Sequence, residues 1–88
     1  MRVVQVLDGD TFRVKSGERI RIDKFDAPEV GECGHEEAKK NLEDWVLGEV
    51  VTIKNGRKDY WGRTIGSVYV GEILVNDQLV ETCSKIES

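Results

Sequence analysis

The sequence predicts a mainly β fold, a small five-stranded barrel carrying one or two helices. Three observations predict it. Val4, Val6, Phe12, Val14, Ile20 and Ile22 alternate with polar residues through the first third of the chain, the period of a half-buried sheet. A single segment, residues 35–47, changes to helical spacing. Strand character then returns in two further runs, around Val50–Ile53 and Ile65–Val70.

The elements follow in order. Asp8-Gly9-Asp10 and Ser16-Gly17-Glu18 break the first third and read as turns, so three antiparallel strands are expected near 2–7, 10–16 and 18–25. Ala38, Leu42, Trp45 and Val46 recur at three- and four-residue intervals with charges between them, which predicts an amphipathic helix stopped by Gly48. Asn55-Gly56 is a turn signal, so a loop running to residue 63 is expected between the last two strands. Ile73, Leu74 and Val75 form a short run, and Asn76 reads as the N-cap of a brief helix carrying Leu79 and Val80. Five strands with a helix after the third are what an OB-fold requires, a barrel whose strand face and flanking loops commonly bind oligonucleotides.

With 88 residues the chain is read as one domain, 1–88, whose core is real but small. Hydrophobic content of 39% and charged content of 34% fit a globular protein rather than a disordered one. No apolar run reaches the ~18 residues needed to cross a bilayer, so no membrane partner is expected. An acidic residue arrives at Asp8, too soon for a signal sequence; if Met1 is the natural start, the chain is intracellular. The net charge of −4 argues against a tight non-specific nucleic-acid binder, but the charge is uneven. Residues 31–50 are mostly acidic, whereas 51–70 carry Lys54, Arg57, Lys58 and Arg63 against Asp59. Cys33 and Cys83 are the two cysteines. Cys33-Gly34-His35 resembles half a zinc site, but no second ligand pair of zinc spacing follows, so ordinary thiols or a disulfide are favoured over a metal.

The chemistry-bearing residues lie in four short pieces: Asp8-Gly9-Asp10-Thr11, Arg21, Asp26-Ala27-Pro28-Glu29 and Trp61-Gly62-Arg63-Thr64. The first is no EF-hand, because Phe12, Arg13 and Arg19 stand where that loop needs a ligand, a glycine and a glutamate. Proline at 28 fixes its own φ and biases Ala27 to extended geometry, which holds Asp26 and Glu29 in a bend. Carboxylates and paired guanidiniums suit a hard cation and a charged phosphate.

In content and order these pieces resemble the staphylococcal nuclease (thermonuclease) family, from Val3 to about Val80. That family has an Asp-Gly-Asp-Thr turn, an arginine at this spacing before Asp-(Thr/Ala)-Pro-Glu, a Tyr-Gly-Arg tripeptide that here reads Trp61-Gly62-Arg63, and an Asn-x-x-Leu-Val segment matched by Asn76 to Val80. The resemblance implies a five-stranded OB-fold and a calcium-dependent nuclease that cleaves DNA and RNA with little base preference and leaves 3′-phosphates. It implies that Asp10, Asp26 and the Ala27 carbonyl ligate Ca2+, that Glu29 is the general base, and that Arg21 and Arg63 bind the scissile phosphate. Asp8 and Thr11 are expected to support the loop, and Lys54, Arg57, Lys58 and Tyr60 to bind substrate. Secretion also fits the resemblance. The sequence departs from the pattern at Cys83-Ser84 and in ending without the family's third helix. An isolated domain of this kind is expected to be marginally stable or to self-associate through the surface that helix covers. Two readings compete with the enzyme: a non-catalytic module of the same fold that binds nucleic acid or protein, and an inactive fragment. Retention of Asp10, Arg21, Asp26, Glu29 and Arg63 favours the enzyme.

Overall fold

The computed structural model describes residues 1–79. Its strands are β1 (Val3–Asp8), β2 (Thr11–Val14), β3 (Arg19–Ile22), β4 (Thr52–Lys58), β5 (Thr64–Val70) and β6 (Ile73–Leu74), with one α-helix, α1 (His35–Val46), and a 3-10 turn at Val75–Asp77. The sheet runs β1-β2-β3-β5-β4, and β6 adds to β5. All pairings are antiparallel except β3 with β5, where Ile20, Arg21 and Ile22 face Thr64, Ile65 and Gly66 in parallel. The N-terminal end of β1 turns back onto the segment before β4. Arg2 bridges Val50, Val3 N donates to Glu49 O at 3.0 Å, and Val51 N donates to Met1 O at 2.7 Å. These bonds join the two ends of the strand order and give the mainly β, OB-like barrel, with β6 as a two-residue addition to the five expected strands.

Val3, Val6, Phe12, Val14, Ile20, Ile22, Val51, Val68, Val75 and Leu79 fill the interior, and Leu42 and Val46 of α1 close it. In β3 the alternation is clean: Ile20 and Ile22 are fully buried and Arg19 and Arg21 lie on the other face. In β1 it is not. Val3 and Val6 point inward, three residues apart, and Val4 is exposed. The register against β2 shifts between Val3 and Gln5, and a bulge of this kind inverts the inward phase of a strand. The expected inward place of Val4 is thereby corrected to Val3.

The helix has the expected position. His35, Ala38, Leu42 and Val46 form its buried face, Trp45 packs beside it, and Glu36 and Glu37 sit in its first turn, where acidic side chains favour the positive end of the helix dipole. Gly9 is the contact point between helix and site. A Cβ on Gly9 would stand 2.6 Å from the Ala38 Cβ and 2.7 Å from the Ala27 Cβ, closer than packed carbons allow. The absence of a side chain at Gly9 therefore lets the β1–β2 turn, the Ala27 segment and α1 meet.

Two expectations are corrected. Asn55-Gly56 is no turn; β4 continues through it to Lys58. Asn55 does adopt a positive φ of 57°, but it does so in a bulge where the β4–β5 register shifts between Lys54 and Arg57. The reversal comes later, at Asp59–Gly62. Asn76 is no N-cap either. The 3-10 turn starts at Val75, before it, and the Asn76 side chain ties strands together: its Oδ1 accepts from Val68 N at 2.9 Å and its Nδ2 donates to Asp23 O at 2.9 Å. Val80, Cys83 and Ser84 lie outside the described residues.

Candidate active site

The β1–β2 turn starts the site. Asp8 Oδ1 accepts from Asp10 N at 3.1 Å, the aspartate-to-backbone bond typical of such turns. Asp10 is then buried with both carboxylate oxygens engaged. Oδ1 accepts from the Thr11 hydroxyl at 2.9 Å and Oδ2 from Ala27 N at 3.0 Å. The Asp26-Ala27-Pro28 bend is thus fastened to the turn through the acid itself.

Arg21 lies across these two pieces. Alternation along β3 puts it on the polar face, and it bends to donate from Nη1 to Ile22 O at 2.6 Å and Phe25 O at 3.1 Å. Its Nη2 stands 2.5 Å from Asp26 Oδ1 and 3.4 Å from Asp10 Oδ2. Two carboxylates from separate segments therefore converge on one cationic nitrogen. The Asp26 side chain is 94% exposed and that of Asp10 11%, so the focus opens to solvent on the Asp26 side.

Electrostatics separate the two acids of the turn. Burial pushes Asp8 above the ordinary aspartate range, and its hydrogen bond to Asp10 adds to the effect. Burial acts on Asp10 in the same sense, but the bonds from Asp8, the Ala27 amide and the Thr11 hydroxyl, with the charge of Arg21, outweigh it and hold Asp10 below that range. Asp8 accordingly takes a proton first and Asp10 stays ionised, the form a cation ligand needs. The donor chemistry fits calcium. Asp10, Asp26 and the Ala27 carbonyl offer only oxygen, and the two carboxylates already gather around positive charge. They are a pair; among the described residues no group of three or more His, Cys, Asp or Glu side chains is gathered for a metal.

Glu29 lies one turn further along. Its amide donates to Glu32 Oε1 at 2.8 Å, the Glu32 amide donates back to Glu29 O at 2.8 Å, and the Glu29 residue is exposed. His35 secures the same loop from the helix: its Nδ1 lies 3.2 Å from Pro28 O, which fits a ring N–H donated to the carbonyl.

Arg63 belongs to a different piece of structure. Asp59 N donates to Arg63 O at 2.9 Å and Gly62 N to Asp59 O at 3.1 Å, closing the β4–β5 hairpin with Gly62 at φ 83°, a conformation glycine adopts without strain. Asp59 Oδ1 accepts from the amides of Trp61 at 3.0 Å and Arg63 at 2.9 Å, and Oδ2 accepts from Arg63 Nε at 2.7 Å. The polar partner of the Arg63 side chain is therefore Asp59, across its own turn, rather than Asp10 or Asp26. Burial acts to raise Asp59, but the amide and guanidinium of Arg63 outweigh it and keep it below the ordinary range. Asp59 was legible only as a negative charge in a basic stretch. The Asp-x-x-Gly spacing of a side-chain-capped turn was the signal that could have found it.

Of the residues expected to meet substrate, Lys54 covers the Tyr69 ring with Nζ 4.9 Å from its centroid, Arg57 pairs with Asp23 at 3.4 Å, and Lys58 pairs with Glu18 at 3.1 Å. Glu18 also accepts from the Thr64 hydroxyl, and these bonds hold its carboxyl low. Tyr60 is 91% exposed at the hairpin tip and makes an edge-to-face contact with Trp61, ring centroids 5.4 Å apart.

Known proteins resemble this chain in sequence. The family model described as staphylococcal nuclease homologue matches residues 19–83. A micrococcal nuclease of Shigella flexneri is 37% identical over 70 residues, 76% of this chain and 40% of that protein. An uncharacterised endonuclease of Escherichia coli O157:H7 is 38% identical over 71 residues, 77% of this chain and 46% of that protein. Another, of Haemophilus influenzae, is 31% identical over 84 residues, 91% of this chain and 47% of that protein. The chain thus spans less than half the length of these curated relatives. Because the family model covers most of the chain, in the strands and loops that carry Arg21, Asp26, Glu29 and Arg63, the chain belongs to the staphylococcal nuclease homologue family.

Proposed function

We propose that this chain carries a calcium-dependent phosphodiesterase site that hydrolyses DNA and RNA. The observation that carries the reading is the convergence of Asp10 and Asp26, from two separate segments, on one guanidinium nitrogen of Arg21. That is a focus built from acceptors for a cation beside a donor for a phosphate. The names of the nuclease and endonuclease relatives support the same class of substrate.

Asp10, Asp26 and the Ala27 carbonyl would hold Ca2+. When bound, the ion supplies Lewis-acid polarisation of a non-bridging phosphate oxygen. The chain's own residues do the rest. With Asp10 and Asp26 turned to the ion, Arg21 would offer Nη2 to the phosphate while Nη1 stays on the Ile22 and Phe25 carbonyls, and Arg63 would fork the phosphate from the hairpin; both interactions strengthen as charge grows in the five-coordinate transition state. The exposed Glu29 carboxylate accepts the proton of the attacking water. The water oxygen bonds to phosphorus, the bond to the 5′ oxygen breaks, and that oxygen leaves with the electron pair and takes a proton from solvent. The products are a 3′-phosphate and a 5′-hydroxyl. The tip at Tyr60 and Trp61 offers aromatic faces for a neighbouring base, an interaction worth ~1–3 kcal/mol per base, and Lys54, Arg57 and Lys58 line the approach. None of these contacts reads base edges, which is why little sequence preference is expected.

The test is digestion of supercoiled plasmid and of single-stranded RNA by the full chain, with Ca2+ or with excess chelator. Cleavage in calcium and none in chelator is expected, with 3′-phosphate ends. Equal cleavage in both buffers would remove the calcium assignment. Calcium-dependent binding of nucleic acid without any cleavage would replace the enzyme with a binding module.

A further inference from the structure

We infer that Asp59 is the positioning residue for Arg63: it grips the Nε edge of the guanidinium and leaves the two Nη nitrogens to fork a phosphate. The inference rests on the phosphodiesterase reading and adds to it a residue with no assigned role. Both Asp59 oxygens are committed within five residues. Oδ1 accepts the Trp61 and Arg63 amides, which sets the turn, and Oδ2 accepts Arg63 Nε at 2.7 Å, which sets the side chain. The Asp59 side chain is 9% exposed and that of Arg63 24%, and the two amide bonds to Oδ1 fix the carboxylate so that Oδ2 stays aimed at Nε. Trp61 flanks the same group, with Arg63 Cζ 5.5 Å from its ring centroid. An arginine has five donors; one is taken by Asp59, and the outer pair keeps the geometry that matches phosphate. A long side chain otherwise samples many rotamers, and preorganisation removes that cost before the transition state is reached.

The division of labour between the two oxygens supplies the test. Asp59→Asn keeps an Oδ1 for the two amides but replaces the acceptor for Nε with an NH2 group. Asp59→Ser keeps a short acceptor for the turn and has nothing for Nε. Three readouts are taken on the full chain: thermal melting, solvent exchange of the Arg63 Nε proton by NMR, and steady-state hydrolysis of nucleic acid in Ca2+. The expected result is a folded protein, faster Nε exchange than in the wild type, and a kcat lowered about 10- to 100-fold with KM changed much less. In an Arg63→Ala background the same Asp59 substitutions should cost nothing further, because the group they position is gone. A wild-type kcat in folded Asp59→Asn, or an equal loss with and without Arg63, overturns the inference. If the wild type proves inactive on DNA and RNA, the phosphodiesterase reading fails by itself. The Nε exchange then decides alone: a slow proton in the wild type that Asp59→Asn or Asp59→Ser releases upholds the grip, and a fast proton in the wild type refutes it. That wild-type measurement also stands if neither variant folds.

Discussion

Arg21 and Arg63 both meet an aspartate, but they are held in opposite ways. Arg21 donates to carbonyls of Ile22 and Phe25 and faces carboxylates of Asp10 and Asp26. Those partners come from the β1–β2 turn, the end of β3 and the bend after it, so the arginine is a keystone between segments. Arg63 is held by Asp59, four residues away in the same hairpin. In the first, the Asp10 contact exists only once the β1–β2 turn packs against β3, whereas the second is written into a single turn. Residues of one proposed chemical role can therefore carry very different structural burdens.

The comparison breaks most visibly under the same substitution at both places. Arg21→Lys removes the fork that serves two carbonyls and two carboxylates and leaves Asp10, largely buried, short of a donor. Breaking a buried pair costs ~3–5 kcal/mol. Arg21 and Asp10 keep some solvent and Asp26 is exposed, so ~2 kcal/mol is the better expectation, a fall in Tm of roughly 10 °C for a domain of this size. Arg63→Lys, which loosens a pair within one surface hairpin, should shift Tm by only a few degrees. Both should be severe for hydrolysis. Melting curves and single-turnover rates on the two variants check this, and an equal fall in Tm for both would erase the proposed difference.

Gly9→Ala sharpens the same contrast without touching a charge. The added methyl meets Ala27 and Ala38, and overpacking of this kind costs ~1–3 kcal/mol. The displacement falls on Ala27, the residue whose amide holds Asp10. Calcium affinity, read by calorimetry, should drop together with Tm, while the Nε exchange of Arg63 should not change. An unaltered affinity in a destabilised variant would show that the Ala27 segment is not set by this contact.

The smallest effect is expected from the basic side chains of β4. Neutralising Lys54, Arg57 and Lys58 should leave Tm almost unchanged, raise KM and flatten its dependence on salt, with kcat similar. Arg57 and Lys58 already face Asp23 and Glu18, so Lys54 should carry the largest single share. A collapse of kcat at constant KM would move these residues from approach into chemistry.

Much of this arrangement was legible in the residues themselves. Strand alternation from Phe12 to Ile22, the helix from His35, and the turn at Asp8-Gly9-Asp10 all follow from side-chain period and from turn chemistry that acts within a few residues. Asn55-Gly56 was misread for an equally local reason. Asn tolerates positive φ in a turn and in a bulge alike, and only pairing with β5 distinguishes them. Asn76 has the same amide as an N-cap, and it became a strand tie because Val68 N and Asp23 O lie within its reach. The β1 phase was lost at a bulge that no local signal marks. In the site, sequence alone determined which acids and arginines are present and how their turns bend, because hydrogen bonds from an aspartate to its own backbone need only neighbours. Tertiary structure alone decided that β3 lies parallel to β5, that Ala27 fastens Asp10, and that Asp10 meets Arg21 rather than Arg63. Those contacts join segments far apart along the chain, and their geometry is set by the packing of the barrel and α1 around Gly9 rather than by the preference of any one residue.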